Sequence, residues 1–181
     1  MRDTAQLWEV LKHADLVCGE DQLSAAVGRV AQQITELLAE RVPLVLTVMG
    51  GAVVFTGQLL PLLRFPLEFD YVHVTRYRGS TQGGSVQWKV EPRPLLAGRA
   101  VLVVDDILDE GHTLAAIRER VLQEGASAFY SAVLADKDIG RAKPIRADFV
   151  GVTVPNRYVF GFGMDVEGAW RNLPAIYAVQ E

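Results

Sequence analysis

Two runs in this chain are apolar at almost every position. Leu44-Val-Leu-Thr-Val-Met49 stops at Gly50-Gly51, and Ala100-Val-Leu-Val-Val104 runs straight into Asp105-Asp106. A strand apolar on both faces has no solvated side, so it belongs inside a sheet that is covered above and below, and parallel sheets are built that way. The segments around these runs carry helical patterning, which sets the fold class as α/β: a mainly parallel central sheet flanked by helices.

The rest of the chain fits that frame. From Leu23 the apolar residues Val27, Val30, Ile34, Leu37 and Leu38 recur at three and four, predicting an amphipathic helix that ends near Arg41. Residues 52–63 suit a helix returning across the sheet and 67–75 the next strand, a βαβ unit. Residues 76–89 are polar and glycine-rich, as in a long mobile loop or loosely held hairpin. Pro92, Pro94 and Gly98 mark a turn before the second apolar strand. A helix is expected over 113–124 with Gly125 as its C-terminal cap, then strands over 131–135 and 149–154 and a shorter β piece over 158–162. Ligands of such sheets bind at the carboxyl ends of the strands.

Length and composition narrow the function classes. A chain of 181 residues, 50% hydrophobic and 22% charged, suits one globular domain spanning 1–181. The net charge of -4, with basic residues scattered, leaves no footprint for a nucleic-acid partner. Cys18 stands alone, so no intramolecular disulfide forms, and a buried inert thiol is expected. Residues 42–63 are uncharged and long enough to span a bilayer, but Pro43, Gly50, Gly51, Gln58 and Pro61 interrupt them. With no signal-like N-terminus, the expectation is a soluble cytoplasmic chain without a membrane partner.

The chemistry concentrates in Val101-Leu-Val-Val-Asp-Asp-Ile-Leu-Asp-Glu-Gly-His-Thr-Leu114: an apolar strand, an acidic pair, a short glycine loop, then a helix. Loop amides and the positive end of the helix dipole make a seat for a phosphate, to which Thr113 can add a hydroxyl. The two adjacent carboxylates upstream suit vicinal sugar hydroxyls or a hard cation shared with pyrophosphate oxygens. Together they suggest a ribose 5-phosphate, whereas a bare Asp-Asp also serves to cap helices.

This segment resembles the phosphoribosyl pyrophosphate signature of type I phosphoribosyltransferases, in their hypoxanthine-guanine branch. The similarity extends to Gly50-Gly51, Arg76-Tyr77, Asp136-Lys137 and residues 158–171. It implies a small hood formed by the N- and C-terminal segments, Mg²⁺ as cofactor, and a homodimer or homotetramer. The implied reaction is purine salvage, in which a 6-oxopurine displaces pyrophosphate from phosphoribosyl pyrophosphate. Asp105 and Asp106 would hold the ribose hydroxyls and metal, and Asp109, Glu110, Gly111, His112 and Thr113 would cradle the 5-phosphate. Asp109 would also exchange a proton with N7 of the base. Gly50 and Gly51 would receive pyrophosphate with Arg171, and Tyr77 on the loop would close over the reaction. Lys137 would donate to the exocyclic oxygen, Tyr158 stack on the base, Val159 meet its edge through backbone groups, and Asp165 approach the base and a second metal position. Phe160 and Phe162 are expected in the core.

Met49, Glu110 and His112 depart from the family pattern, which commonly has lysine, threonine and lysine there. Glu110 should point away from the phosphate, and a His112 that faced it would weaken binding as pH rises. Spacing alone would pair Lys137 with Asp136 or Asp138. A xanthine-preferring transferase and a non-catalytic phosphoribosyl pyrophosphate sensor are the alternatives within the fold.

Overall fold

The computed structural model describes residues 3–76, 86–92 and 95–180. The first apolar run forms β2 (Leu44–Met49), whose side chains are buried on both faces until the strand's last residue. A short helix, α3 (Val53–Leu59), and a 3₁₀ turn over Leu60–Leu62 carry the chain back to β3 (Glu68–Arg76), parallel to β2. β4 (Val86–Val90) then returns antiparallel along the sheet edge, so the flanks of the expected loop pair as a hairpin; residues 77–85 lie outside the described residues.

The second run extends further than its apolar residues suggest. β5 covers Ala100–Leu108, so Asp105 and Asp106 lie inside the strand and not at its end. The reason is a long neighbour: β6 (Ala128–Lys137) offers backbone partners as far as the Leu108–Asp136 rung, and satisfied backbone groups outweigh the polarity of the side chains. Between them α4 (His112–Gln123) crosses the sheet, with Gly125 beyond its C-terminal end at φ +86°, the left-handed conformation glycine reaches without steric cost. β7 (Phe149–Val154) completes a six-stranded sheet in the order β4-β3-β2-β5-β6-β7, parallel except at β4.

Alternating side chains give this sheet two cores. Val45, Leu102, Val104, Ala132 and Leu134 face α3 and the long α2 (Glu20–Leu38), which supplies Leu23, Val27, Val30, Ile34 and Leu38. Leu44, Leu46, Val101, Val103 and Val133 face Leu114, Ile117 and Val121 of α4. Leu37 breaks the expected stripe and is 44% exposed; Ala26 and Ala31, which the three-and-four pattern passes over, are buried in its stead. Cys18 is buried, and loss of water raises its thiol pKa.

The hood is a three-stranded antiparallel sheet from the chain's two ends. β1 (Asp15–Cys18) pairs with β9 (Ile176–Ala178), which pairs with the two-residue β8 (Val159–Phe160). Preceding it, α1 (Thr4–Lys12) has no buried residue and docks at its side, where Trp170 Nε1 donates to the Leu7 carbonyl at 3.0 Å and packs edge-on against Trp8. Among the described residues no helix is long and apolar enough to cross a membrane.

Candidate functional site

Strand order reverses between β2 and β5. From β2 the chain proceeds to β3 on one side, and from β5 to β6 and β7 on the other, which makes the carboxyl ends of β2 and β5 the crevice of an open α/β sheet. Their pairing ends at Thr47–Val104, and past that rung the strands part. A cleft of about 410 Å³ opens there, lined by Met49, Gly50, Gly51, His73, Thr75, Asp105, Asp106, Asp109, Gly111, Thr113, Asp165 and Arg171, among others.

The acidic pair is held by its own backbone. Asp105 Oδ1 accepts the Asp106 N–H at 2.9 Å, and Asp106 Oδ1 accepts the Ile107 N–H at 2.8 Å. Burial, with the Asp106 charge beside it, holds the Asp105 carboxyl well above the usual carboxylate range. Burial also raises Asp106, opposed by its hydrogen bonds and the Arg171 charge. Opposite them Gly51 lies so close that a Cβ there would meet Asp106 Oδ2 at 1.8 Å. Among the described residues no three His, Cys, Asp or Glu side chains assemble as a metal cage.

The loop after β5 turns through Gly111 at φ +85°, the N-terminal boundary of α4, where no side chain caps the helix. The first helical bond runs from the Ala115 N–H to the Gly111 carbonyl, so the amides of 112–114 precede the ladder and remain available to an anion. Gly111 and Thr113 line the cleft, whereas His112 is exposed and does not. The pH effect expected of a phosphate-facing His112 therefore loses its geometric basis. Glu110 turns aside and pairs with Arg141 at 2.9 Å.

Asp109 stands where this cleft meets a second one, about 450 Å³, lined by Asp109, Glu110, Lys137, Ile139, Arg141, Asn156, Arg157 and Tyr158. Lys137 Nζ lies 3.2 Å from Asp109 Oδ2, with the lysine 12% and the aspartate 46% exposed. Lys137 thus pairs across strand ends with Asp109, whereas spacing suggested Asp136 or Asp138. Tyr158 is 55% exposed and its hydroxyl donates to the Asp165 carbonyl at 3.1 Å. Val159 is buried in β8, and Phe160 and Phe162 are in the core as expected.

Asp165 and Arg171 form a unit at the far wall. Arg171 Nη2 donates to Asp165 Oδ1 at 2.5 Å and Nη1 to the Gly163 carbonyl at 2.6 Å, while Asp165 Oδ2 accepts the Gly168 N–H at 2.6 Å. Gly163, at φ +103°, brings this segment against the glycine pair: a Cβ on it would lie 1.9 Å from the Gly51 carbonyl oxygen. Tyr77 lies outside the described residues.

Sequence reasoning did not single out His73, Thr75, Arg141, Asn156 or Arg157, which also line the clefts, nor Lys143 behind them. These residues stand in stretches without helical or strand periodicity or on strands read only for their apolar positions, and register alone brings them to the site. The register pairs His73 with Met49, for example, on adjacent strands.

Residues 19–167 match the family described as "Phosphoribosyl transferase domain". The hypoxanthine-guanine-xanthine phosphoribosyltransferase of Tritrichomonas foetus is 33% identical over 163 residues, 90% of this chain and 89% of that protein. The hypoxanthine-guanine phosphoribosyltransferase of Streptococcus pneumoniae strain R6 is 31% identical over 167 residues, 92% of this chain and 93% of its own. Among solved structures, a hypoxanthine phosphoribosyltransferase from Staphylococcus aureus superposes with a TM-score of 0.88 at 25% identity, covering 99% of this chain and 97% of that one. A hypoxanthine-guanine phosphoribosyltransferase from Bacillus anthracis, with a HEPES molecule in its active site, gives 0.86 at 28% identity over 92% of this chain and 98% of that one.

Proposed function

The chain belongs to the phosphoribosyl transferase family, and from that premise we propose that it is a purine-salvage glycosyltransferase that moves the 5-phosphoribosyl group of phosphoribosyl pyrophosphate onto hypoxanthine or guanine, giving IMP or GMP and pyrophosphate. The observation that carries this reading is the position of Asp109, which lines both clefts. One cleft has the anion seat, the acidic pair and the glycine loop; the other has a lysine, an exposed tyrosine and open space for a planar base. A transfer between two substrates needs a group at such a junction.

In this reading the amides at the start of α4, with Thr113, hold the 5-phosphate and leave C1′ of the ribose toward Asp109. Lys137 donates to the 6-oxygen of the base, which favours a 6-oxopurine over adenine, and Tyr158 stacks on the ring. Val159 backbone groups and Asp165 meet its edge. N9 of the base bonds to C1′ as the bond from C1′ to the pyrophosphate oxygen breaks; pyrophosphate leaves with the electron pair, and the N7 proton passes to the Asp109 carboxylate. Negative charge from Asp105, Asp106 and Asp109 stabilises an oxocarbenium-like C1′. Backbone amides at Gly50 and Gly51, with Arg171, hold the leaving group.

Asp105 and Asp106 fit a hard divalent cation in so far as they place two adjacent carboxylates on the cleft wall beside the anion seat; the other ligands would come from outside the protein. A Mg²⁺ held there would supply positive charge against a pyrophosphate group, and Asp165 would help hold a second cation. We place the enzyme in the cytoplasm as a homodimer or homotetramer, by resemblance.

The test is an assay of pyrophosphate release with Mg²⁺ and phosphoribosyl pyrophosphate against hypoxanthine, guanine, xanthine and adenine in parallel. Release with hypoxanthine or guanine and not adenine is the expected result. Xanthine alone as acceptor would shift the assignment to a xanthine-preferring transferase. Tight phosphoribosyl pyrophosphate binding without release for any base would make the chain a sensor.

A further inference from the structure

Lys143 lines neither of the two clefts that share Asp109, yet its ammonium touches both chain segments that meet there. It is 10% exposed, and its Nζ donates to the Leu108 carbonyl at 2.7 Å, the Lys137 carbonyl at 2.6 Å and Asp136 Oδ1 at 2.5 Å. An ammonium has three protons to donate and no acceptor, so these oxygens use its full capacity.

The position of the two carbonyls gives this contact its meaning. Leu108 ends β5 and Lys137 ends β6, and the last rung between the strands pairs Leu108 with Asp136. Lys143 therefore ties the two strand ends at the point where backbone pairing stops. The groups that project next from those ends are the side chains of Asp109 and Lys137, 3.2 Å apart. Their own ion pair is half open to water on the aspartate side, and such pairs hold geometry weakly. The ammonium behind them is as buried as that of Lys137, but its contacts are shorter, 2.5–2.7 Å, and two of its three acceptors are backbone carbonyls fixed by the strands.

We propose that Lys143 is a positioning residue for the transfer reaction, setting the spacing of Asp109 and Lys137 and through it the fit of the purine base between the two clefts. This rests on the roles given above to Asp109 and Lys137. Methionine matches the length of the lysine stem without its donors, so Lys143→Met removes the group that joins the two carbonyls and the Asp136 carboxylate, and the ends of β5 and β6 separate. Lys143→Arg keeps the charge but holds its donors in one plane, which cannot converge on three oxygens as an ammonium does, so it restores part of the effect.

The experiment measures kcat and both KM values for the wild type, Lys143→Met and Lys143→Arg, repeats the methionine change in a Lys137→Met background, and follows amide hydrogen exchange over residues 108–111 and 137–139. Because small displacements of a positioned group cost up to about a hundredfold, Lys143→Met is expected to raise the KM for hypoxanthine by about tenfold and that for phosphoribosyl pyrophosphate by no more than about twofold. Exchange over both segments should quicken, Lys143→Arg should fall between, and the effect on hypoxanthine should largely vanish when Lys137 is already methionine. Equal rises in both KM values, an undiminished effect in the Lys137→Met background, or unchanged exchange and KM would overturn the proposal. If Lys143→Met does not fold, Lys143→Arg and Asp136→Asn decide by the same readouts. A wild type that makes no nucleotide from any 6-oxopurine removes the functional reading and this proposal together, whereas an active wild type with an unaffected Lys143→Met removes only the proposal.

Discussion

Gly51→Ala isolates the contact between the glycine loop and the acidic pair. The new methyl group would lie 1.8 Å from Asp106 Oδ2 and 2.4 Å from its Cγ. To reach an ordinary contact of 3.4 Å the carboxylate must retreat by about 1.6 Å, which breaks the bond from the Ile107 N–H to Asp106 Oδ1. Movement of the loop is also restricted, because the Gly163 backbone lies so close to the Gly51 carbonyl oxygen that a Cβ on Gly163 would meet it at 1.9 Å. A displacement of about 1 Å in a positioned group costs about a hundredfold in rate, or about 2.7 kcal/mol of transition-state stabilisation. Crowding costs about 1–3 kcal/mol of fold stability, and hence a fall of some degrees in Tm. Initial rates of IMP formation against phosphoribosyl pyrophosphate concentration measure the first quantity and thermal unfolding the second. Gly57→Ala is the matched control, since that site in α3 has open space and alanine favours a helix. A Gly51→Ala enzyme within about threefold of wild type in kcat/KM, below about 0.7 kcal/mol, would refute the reasoning.

Asp109→Asn keeps the shape of the side chain at the junction of the clefts but cannot accept the base's proton, so kcat should fall by about 10²–10⁴ while folding is retained; turnover at the wild-type rate removes its role. The pKa of Asp105 is raised on folding, so its favourable contribution to stability is complete below the unfolded value of 3.8 and is lost as pH rises through the folded value. At pH 7.5, far above the unfolded value, that contribution is diminished, because the unfolded carboxyl ionises freely while burial opposes ionisation in the fold. Asp105→Asn, whose amide oxygen can still accept the Asp106 N–H, should have a higher Tm than wild type at that pH, with the gap closing toward pH 4 and activity lost. A gap of opposite sign, or one independent of pH, contradicts the assignment of burial as the cause.

How far the sequence could be read follows from where each signal resides. β2 and β5 are legible because apolar residues on both faces have few other homes, and the seat at 105–113 is legible because strand, acids, glycine and helix follow one another locally. α1 has only a short stripe, Leu7, Val10 and Leu11, which spans little more than one turn and is no more than half-buried, too brief to set it apart from a loop. β1 and β9 are short, and their partners lie at opposite ends of the chain, as in the Asp15–Ala178 pair. Leu37 keeps the helical period but lies at the margin of the buried face. The partner of Lys137 could not be found from spacing, because Asp109 reaches it only when β5 and β6 lie side by side. The demand for glycine at 163 likewise comes from a loop distant in sequence.

The central claim is that the bend from Asp105 to Thr113 seats a ribose 5-phosphate while Asp109 faces a base in the neighbouring cleft. A crystal structure with IMP measures this most directly. The account predicts the phosphate within hydrogen-bond distance of the amides that begin α4, the ribose hydroxyls on Asp105 and Asp106, and the purine 6-oxygen on Lys137. A phosphate bound elsewhere, or a cleft left empty at saturating nucleotide, would contradict it.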